Sequence, residues 1–165
     1  MRHLALLPIA LAVLTGSIDA ARAADAAGKG LILLVRHAER PPMTAPGDDP
    51  SLTDAGKARA ERLATALADA GIRTIFTTRF RRTRETAAPI AARLKLTPTV
   101  ESATDDLVTA LRARADETVL VVGHSDTLPD VIAAFGGPAV AVGDDDYDDL
   151  FVLVPATGAV TRLAY

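Results

Sequence analysis

The apolar run at residues 31–35 constrains the fold most, because it passes without interruption into a cation and an imidazole. An unbroken stretch of Leu, Ile and Val of this length, bounded by polar residues, is typical of a strand buried on both faces of a parallel sheet. In open α/β sheets, ligands bind beyond the carboxyl ends of the strands. Arg36 and His37 therefore stand where the sequence predicts a binding site.

The rest of the chain alternates strand-like and helix-like segments. Strands are predicted at residues 31–35, 72–77, 97–100 and 118–122, and helices at 54–70, 79–95, 104–115 and 127–135. Two further strands, at 150–154 and 159–163, are separated by a Pro-Ala-Thr-Gly turn and predict a hairpin. This order predicts an α/β fold, namely a three-layer α/β/α sandwich with a mostly parallel sheet and a closing C-terminal β-hairpin.

Local signals predict how some of the helices begin and bend. Thr53 and Thr104 are suited to cap the helices that follow them. Pro89 lies inside the predicted helix at 79–95, so we expect a kink or a later start there.

Residues 1–23 have the features of a secretory signal peptide. A charged start precedes an apolar stretch too short to span a bilayer, and Ala-Arg-Ala at residues 21–23 forms a cleavage site. The alternative is an uncleaved membrane anchor. We therefore expect a signal peptide at 1–23, one domain at 24–165, and an exported protein that is periplasmic or secreted, without stable membrane insertion after cleavage.

Composition narrows the chemistry further. The formal net charge of −3 argues against nucleic acid as a partner, since such partners need a clustered basic surface. The chain has no cysteine, which excludes disulfides, thiol nucleophiles and thiolate metal sites. The acidic run at residues 144–149 lacks the spaced ligands and turn glycine of a calcium loop, so we expect a solvated loop there.

Two predicted strands end at a histidine, His37 in one case and His124 in the other. Since the carboxyl ends of parallel strands share one edge of a sheet, these histidines are expected to meet there, unless both are incidental loop residues. The strand at 72–77 leads into an arginine-rich segment at 79–84 that begins a helix. Guanidinium groups and a helix N-terminus favour a phosphate group, and a neutral imidazole beside phosphate can act as a nucleophile. Some of these arginines, Arg79, Arg81 and Arg84, are expected to form solvated pairs instead.

Four motifs of the chain resemble those of one known family. They are Leu-Leu-Val-Arg-His-Ala-Glu at 33–39, Leu-Thr-x-x-Gly-x-x-Arg-Ala at 52–60, Thr-x-Phe-x-Arg-Thr-x-Glu-Thr-Ala at 78–87, and a strand followed by Gly-His-Ser at 119–125. In their order they resemble the histidine phosphatase superfamily, which includes the cofactor-dependent phosphoglycerate mutases. Ala38 stands where the family has glycine. The resemblance covers roughly residues 31–137.

The resemblance implies a phosphoglycerate mutase-like fold, a phosphatase activity and a role for each matched residue. His37 would be the nucleophile that becomes phosphorylated, and Arg36, Arg82 and His124 would hold the phosphoryl oxygens. In-line phosphoryl transfer depends above all on charge compensation at these oxygens. No cofactor and no metal ion are implied.

The general acid is left open by the sequence. Family members protonate the leaving oxygen with a carboxyl group whose position differs among branches. Asp126 is favoured, because it lies two residues after the predicted phosphate ligand His124, although it could equally cap the helix beginning at Thr127. The other candidates are Glu101 and Asp105, together with Asp106 and Glu39.

These observations predict a phosphatase that hydrolyses phosphate monoesters through a phosphohistidine on His37. Its substrate is either a phosphorylated small molecule or a phosphorylated macromolecule. Two alternatives remain: a phosphotransferase of the phosphoglycerate mutase type, and a non-catalytic phosphate-binding protein with a degenerate site. A serine hydrolase is excluded, because Thr127 stands where a nucleophile elbow needs glycine. The chain also has no P-loop motif for a nucleotide.

Overall fold

The computed structural model describes residues 30–165, and the predicted signal peptide lies outside this range. The described residues form six strands and four helices. The strands are β1 (Ile32–Arg36), β2 (Ile72–Thr77), β3 (Thr99–Val100), β4 (Thr118–Gly123), β5 (Asp149–Val154) and β6 (Ala159–Ala164). The helices are α1 (Asp54–Ala66), α2 (Arg81–Leu94), α3 (Thr104–Arg112) and α4 (Thr127–Ala134).

The strands join one sheet in the order β3-β2-β4-β1-β5-β6. The pairs β1–β4, β2–β4 and β2–β3 are parallel, whereas β5 runs antiparallel to β1 and β6 antiparallel to β5. This arrangement confirms the mostly parallel sheet and the closing hairpin.

Strand β1 contributes side chains to the hydrophobic cores on both faces of the sheet, because successive side chains of a strand point to opposite faces. Ile32 and Leu34 pack with α3 and α4 on one face. Leu33 and Val35 pack with α1 and α2 on the other. Residues 32–35 of the apolar run are buried in β1, as predicted, whereas Leu31 is half-buried before the strand, and the three-layer α/β/α architecture is confirmed.

The start of α1 is fastened to the segment that follows β1. Thr53 caps the helix by accepting a hydrogen bond from the Gly56 amide at 3.1 Å, as predicted. The Thr53 amide in turn donates to the Glu39 carbonyl oxygen at 2.9 Å. A Cβ at Gly56 would clash with that same carbonyl, so this helix can approach the strand exit only because residue 56 is glycine.

Two of the local expectations need adjustment. The residue at the cap of α3 is Ala103, which makes no side-chain cap, and Thr104 is already helical, so the predicted Thr104 cap is wrong. Helix α2 begins at Arg81, two residues after the predicted start, and continues through Pro89 to Leu94. Within residues 30–165 no helix has the length and apolar character needed to span a membrane.

Candidate active site

The two histidines meet at the carboxyl edge of the sheet because β1 and β4 are adjacent and in register. Arg36 pairs with Gly123, and the His37 amide donates to the Gly123 carbonyl oxygen at 3.0 Å. The ring centroids of His37 and His124 are 5.5 Å apart in an edge-on arrangement. The structure therefore brings together the residues that the two strand ends predicted.

One nitrogen of His37 is committed and the other is available. The Nδ1 atom lies 2.8 Å from the Ala38 carbonyl oxygen. A carbonyl oxygen can only accept, so Nδ1 carries the proton and the lone pair of the neutral ring lies on Nε2. Burial is the main cause that lowers the pKa of His37 to about 3, and the charges of His124, Arg36 and Arg82 lower it further against the opposing Ala38 bond. His37 is thus a neutral imidazole with a free Nε2, as a nucleophile requires.

His124 is oriented by a buried hydroxyl and an aromatic ring. Its Nε2 lies 2.9 Å from the Thr78 Oγ1, and Thr78 in turn lies 3.0 Å from the Thr83 hydroxyl. The ring of Phe80 meets the imidazole edge-on at 5.4 Å. Burial, followed by the charge of Arg82, lowers the pKa of His124 to about 4.

We expect both imidazoles to remain neutral in the ligand-free protein well below the ordinary pKa of 6.5, because their pKa values are about 3 and about 4. The measurement is a titration of the ring nitrogens of His37 and His124 by NMR. Unfolded histidines take up protons below pH 6.5 whereas these folded ones do not, so the free energy of unfolding should decrease as the pH falls from 6.5 towards 4. A midpoint near 6.5 for either ring would contradict this prediction.

Buried guanidinium nitrogens without partners line the same place. Within residues 30–165, Nε of Arg36, Arg40 and Arg82, and Nη1 of Arg82, are buried and donate no hydrogen bond. The side chains of Arg36 and Arg82 are only 5% and 11% exposed. Burial, followed by the charge of Arg40, lowers the pKa of Arg82. Arg36 and Arg82 have only long ion pairs, to Asp144 at 3.6 Å and to Asp49 at 3.9 Å. Buried donors without a hydrogen bond are costly, and a multi-oxygen anion bound among them would satisfy these donors and add to the charge compensation.

Arg36 is held in place by a loop that the sequence did not connect with the site. Its Nη1 donates to the carbonyl oxygens of Gly143 at 2.8 Å and Asp144 at 2.6 Å. Its guanidinium also lies 4.6 Å from the centre of the Tyr147 ring, and that ring lies 6.3 Å from the ring of His37. Both hydrogens of Nη1 are thereby used, and the Nε edge of Arg36 remains for a ligand.

This loop revises the expectation for residues 144–149. The side chain of Asp144 is 95% exposed, although its Oδ1 lies 3.6 Å from Nη2 of Arg36, and its backbone and Tyr147 form one wall of the site. The interruption of the acidic run by an aromatic residue was the signal in the sequence for such a role. Phe80 and Thr78, which orient His124, were also missed as site residues, although both lie in a motif that matches the family.

The candidate acid Asp126 lies beside His124 but also caps α4. Its Oδ1 accepts hydrogen bonds from the Thr127 amide at 2.7 Å and the Thr127 hydroxyl at 3.2 Å. Burial would raise the pKa of Asp126, but these bonds from Thr127 outweigh it and the pKa is lowered. In the ligand-free protein Asp126 is therefore an ionised cap.

The remaining candidate carboxyls have other positions. Glu101 accepts from the Ser102 amide at 3.0 Å ahead of α3, and Asp105 and Asp106 are exposed in the first turn of that helix. Glu39 forms a two-pronged ion pair with Arg59, with distances of 2.7 to 2.9 Å. Its oxygens are thus engaged away from the two histidines.

Ala38 is accommodated without disturbing the nucleophile. Its methyl group is fully buried against Leu52 and Ala60, and its amide donates to the Thr86 hydroxyl at 2.9 Å. The alanine that replaces the family glycine therefore joins the core beside His37. No group of three His, Cys, Asp or Glu side chains suited to a metal ion occurs in the described part of the chain.

Comparisons with known proteins concern the sequence and the fold of the chain. The family model described as the histidine phosphatase superfamily, branch 1, matches residues 32–108. A comparison with curated proteins found no match.

Several solved structures share the fold. A mycobacterial glucosyl-3-phosphoglycerate phosphatase is 12% identical and has a TM-score of 0.63, with 82% of this chain and 98% of that chain covered. SixA from Agrobacterium tumefaciens is 23% identical with a TM-score of 0.61, over the same shares of the two chains. The protein histidine phosphatase SixA complexed with tungstate is 18% identical with a TM-score of 0.63, covering 81% and 96%.

Proposed function

We propose that this chain, whose residues 32–108 match the family model of the histidine phosphatase superfamily, is a phosphatase that hydrolyses phosphate monoesters through a covalent phosphohistidine on His37. The observation that carries this proposal is the free Nε2 of a neutral His37 beside buried, unpartnered nitrogens of Arg36 and Arg82. A nucleophile and a set of cationic donors at one sheet edge have the chemistry that phosphoryl transfer needs.

In the first step, the lone pair of His37 Nε2 attacks phosphorus, and the bond from phosphorus to the leaving oxygen breaks. The ring keeps its Nδ1 proton, and the Ala38 carbonyl that accepts it stabilises the positive charge that the phosphorylated ring acquires. In the second step, water attacks phosphorus and passes a proton to the Asp126 carboxylate that was left by the first step, the P–Nε2 bond breaks, and inorganic phosphate leaves. The electron pair returns to Nε2 and the neutral ring is restored.

Charge on the transferring phosphoryl group is compensated by the buried cations. The loop carbonyls hold Nη1 of Arg36 and leave its Nε without a partner, and Arg82 has Nε and Nη1 without partners, so these are the donors proposed for the phosphoryl oxygens. His124, fixed by Thr78, supplies a further contact. Because these groups are preorganised and desolvated, they stabilise the transition state without reorganising during the reaction.

Asp126 is the proposed donor of a proton to the leaving oxygen. The negative charge of a bound phosphoryl group would raise the pKa of this neighbouring carboxyl, which the Thr127 bonds lower in the free protein. Asp126 is then protonated in the substrate complex, where its proton is needed by the leaving oxygen.

Asp126→Asn separates this catalytic role from capping, because asparagine is an equally good cap and the helix should stay intact. We expect kcat on an alkyl phosphate, whose leaving group is poor, to fall by about 10²-fold or more. Turnover of an aryl phosphate with a good leaving group should change little. Steady-state kinetics on the two substrates measure the difference, and wild-type turnover of the alkyl phosphate would remove Asp126 from the mechanism. Glu101→Gln is the matched comparison.

Two observations favour a phosphatase over a phosphoglycerate mutase. Phosphoglycerate mutases carry an extra segment over the site between the third and fourth strands, whereas the connection from β3 to β4 here contains α3 alone. The structural neighbours named above also carry the names of phosphatases. The signal peptide proposed at residues 1–23 would place the activity outside the cytoplasm.

The direct test is release of phosphate from an activated aryl phosphate by the protein in the presence of a metal chelator. We expect hydrolysis that vanadate or tungstate inhibits, and no isomerisation of phosphoglycerate when bisphosphoglycerate is present. Tight binding of vanadate without turnover on a broad panel of phosphoesters would instead support a non-catalytic phosphate-binding protein.

A further inference from the structure

A cleft of about 580 Å³ opens beside the predicted phosphate site, and Arg82 belongs to both. Its lining is Met43, Gly47, Asp48, Asp49, Arg79, Phe80 and Arg82. Phe80 contributes to both places as well, since its ring also meets His124 edge-on at 5.4 Å. A phosphoryl group held by Arg82 therefore has this cleft next to it, and the volume exceeds what a small polyol would fill.

The loop that forms the far wall of the cleft is anchored. Oδ2 of Asp48 accepts from the Thr44 amide at 2.7 Å, the Thr44 hydroxyl at 2.8 Å and the Ala45 amide at 2.7 Å. Both carboxylate oxygens of Asp49 accept from the Arg81 amide, at 2.9 and 3.0 Å, and so tie the loop to the start of α2. Met43 is therefore presented by a fastened loop, although it is 51% exposed.

The side chains left free in the cleft are the apolar Met43 and Phe80 and the cationic Arg79 and Arg82. The carboxylates of Asp48 and Asp49 are engaged in holding the loop. The Phe80 ring lies 4.2 Å from the guanidinium carbon of Arg82 and 5.1 Å from that of Arg79, so both cations are drawn to the ring. The Met43 thioether is a flexible, polarisable side chain that packs favourably on aromatic groups.

We propose that this cleft is the leaving-group subsite, and that it receives a flat apolar body that carries the phosphoryl group, packed between Met43 and Phe80. The inference rests on the proposed phosphatase function and adds to it the chemical class of the substrate. Met43, Val100 and Leu163 are the large apolar side chains exposed in the described residues, and Met43 is the one of them that lines this cleft beside the cationic phosphate ligands. Burial against a bound ligand would remove its apolar surface from water.

Met43 allows a direct test, since the only other methionine in the chain is Met1. Protein labelled with ¹³C at the methionine methyl groups is titrated with inorganic phosphate, methylphosphonate and phenylphosphonate. We expect all three to shift the imidazole signals of His37 and His124. The Met43 methyl signal should shift with phenylphosphonate alone, through the ring current of the bound phenyl group.

A kinetic comparison uses Met43→Gln, which keeps the length of the side chain and makes it polar. We expect kcat/KM for phenyl phosphate to fall by roughly three- to tenfold, and kcat/KM for glycerol phosphate to stay unchanged. Leu163→Gln is the matched control, because Leu163 is also exposed, at 48%, but lies in the edge strand β6.

The outcomes are distinguishable. If phosphate shifts neither histidine, the proposed function fails and this inference fails with it. If phosphate and phenylphosphonate bind but the Met43 methyl signal does not respond to the phenyl group, the subsite is overturned while the phosphatase proposal stands. An equal loss on both substrates in Met43→Gln would likewise overturn the subsite.

Discussion

Replacing His37 with asparagine is expected to abolish turnover, with a loss of at least about 10⁴-fold in kcat, because the variant has no nucleophile to form the covalent intermediate. The neutral Nε2 that attacks phosphorus exists only because the Ala38 carbonyl holds the proton on Nδ1 and burial keeps the ring uncharged. Asparagine keeps a polar side chain of similar size, so the surrounding contacts should survive.

The intermediate itself can be measured. Rapid quenching of the wild-type protein with a ³²P-labelled aryl phosphate should give protein-bound label that is stable in alkali and lost in acid, as a phosphoramidate is, and His37→Asn should give none. The variant should still bind vanadate, since Arg36, Arg82 and His124 remain. Normal turnover by His37→Asn would contradict the mechanism at its first step.

Replacing Arg82 with methionine is expected to lower kcat/KM by about 10²- to 10³-fold, because two desolvated donors to the phosphoryl oxygens are lost. Lysine should recover little of this activity, since a single ammonium cannot reproduce the planar fork of a guanidinium. Arg84→Met is the matched control: Arg84 lies two residues further along α2 and is exposed, and its replacement should leave kcat/KM within about twofold of the wild type.

The Arg82→Met variant should also be more stable than the wild-type protein. Arg82 is a buried cation with two unpartnered nitrogens, and its nearest carboxylate, Asp49, is 3.9 Å away. Replacement of such a group by an apolar side chain of similar length is expected to raise the free energy of unfolding by about 1 kcal/mol or more. Denaturant unfolding of Arg82→Met and the wild type measures this. A variant that loses both activity and stability would show that Arg82 has a structural role instead.

Local sequence patterns were sufficient to predict the strands of the sheet and the edge at which the two histidines meet. The continuous apolar run of β1 predicted burial on both faces, and the strand ends predicted the meeting of His37 and His124 at one edge. The cap at Thr53 was predicted because capping depends on residues within one helical turn. The predicted cap at Thr104 was wrong because Thr104 is already the first helical residue and Ala103 occupies the cap position. A boundary that differs by one residue depends on packing around the helix.

The details of the site depend on contacts between distant parts of the chain. Arg36 and the carbonyl of Gly143 are 107 residues apart in sequence, and no local pattern connects an acidic loop with the side chain that it orients. Asp126 and Glu39 could each have been an acid by position, but their hydrogen bonds to Thr127 and Arg59 became visible only in three dimensions.

By itself, the sequence determined which side chains follow the buried strands at the carboxyl edge of the sheet, since the position and burial of each strand follow from the residues within its segment. The tertiary structure alone decided the chemical state of those side chains. Burial and partners set the free nitrogen of His37, the open Nε edge of Arg36 and the unpaired donors of Arg82, because desolvation and hydrogen bonding depend on everything that packs around a group.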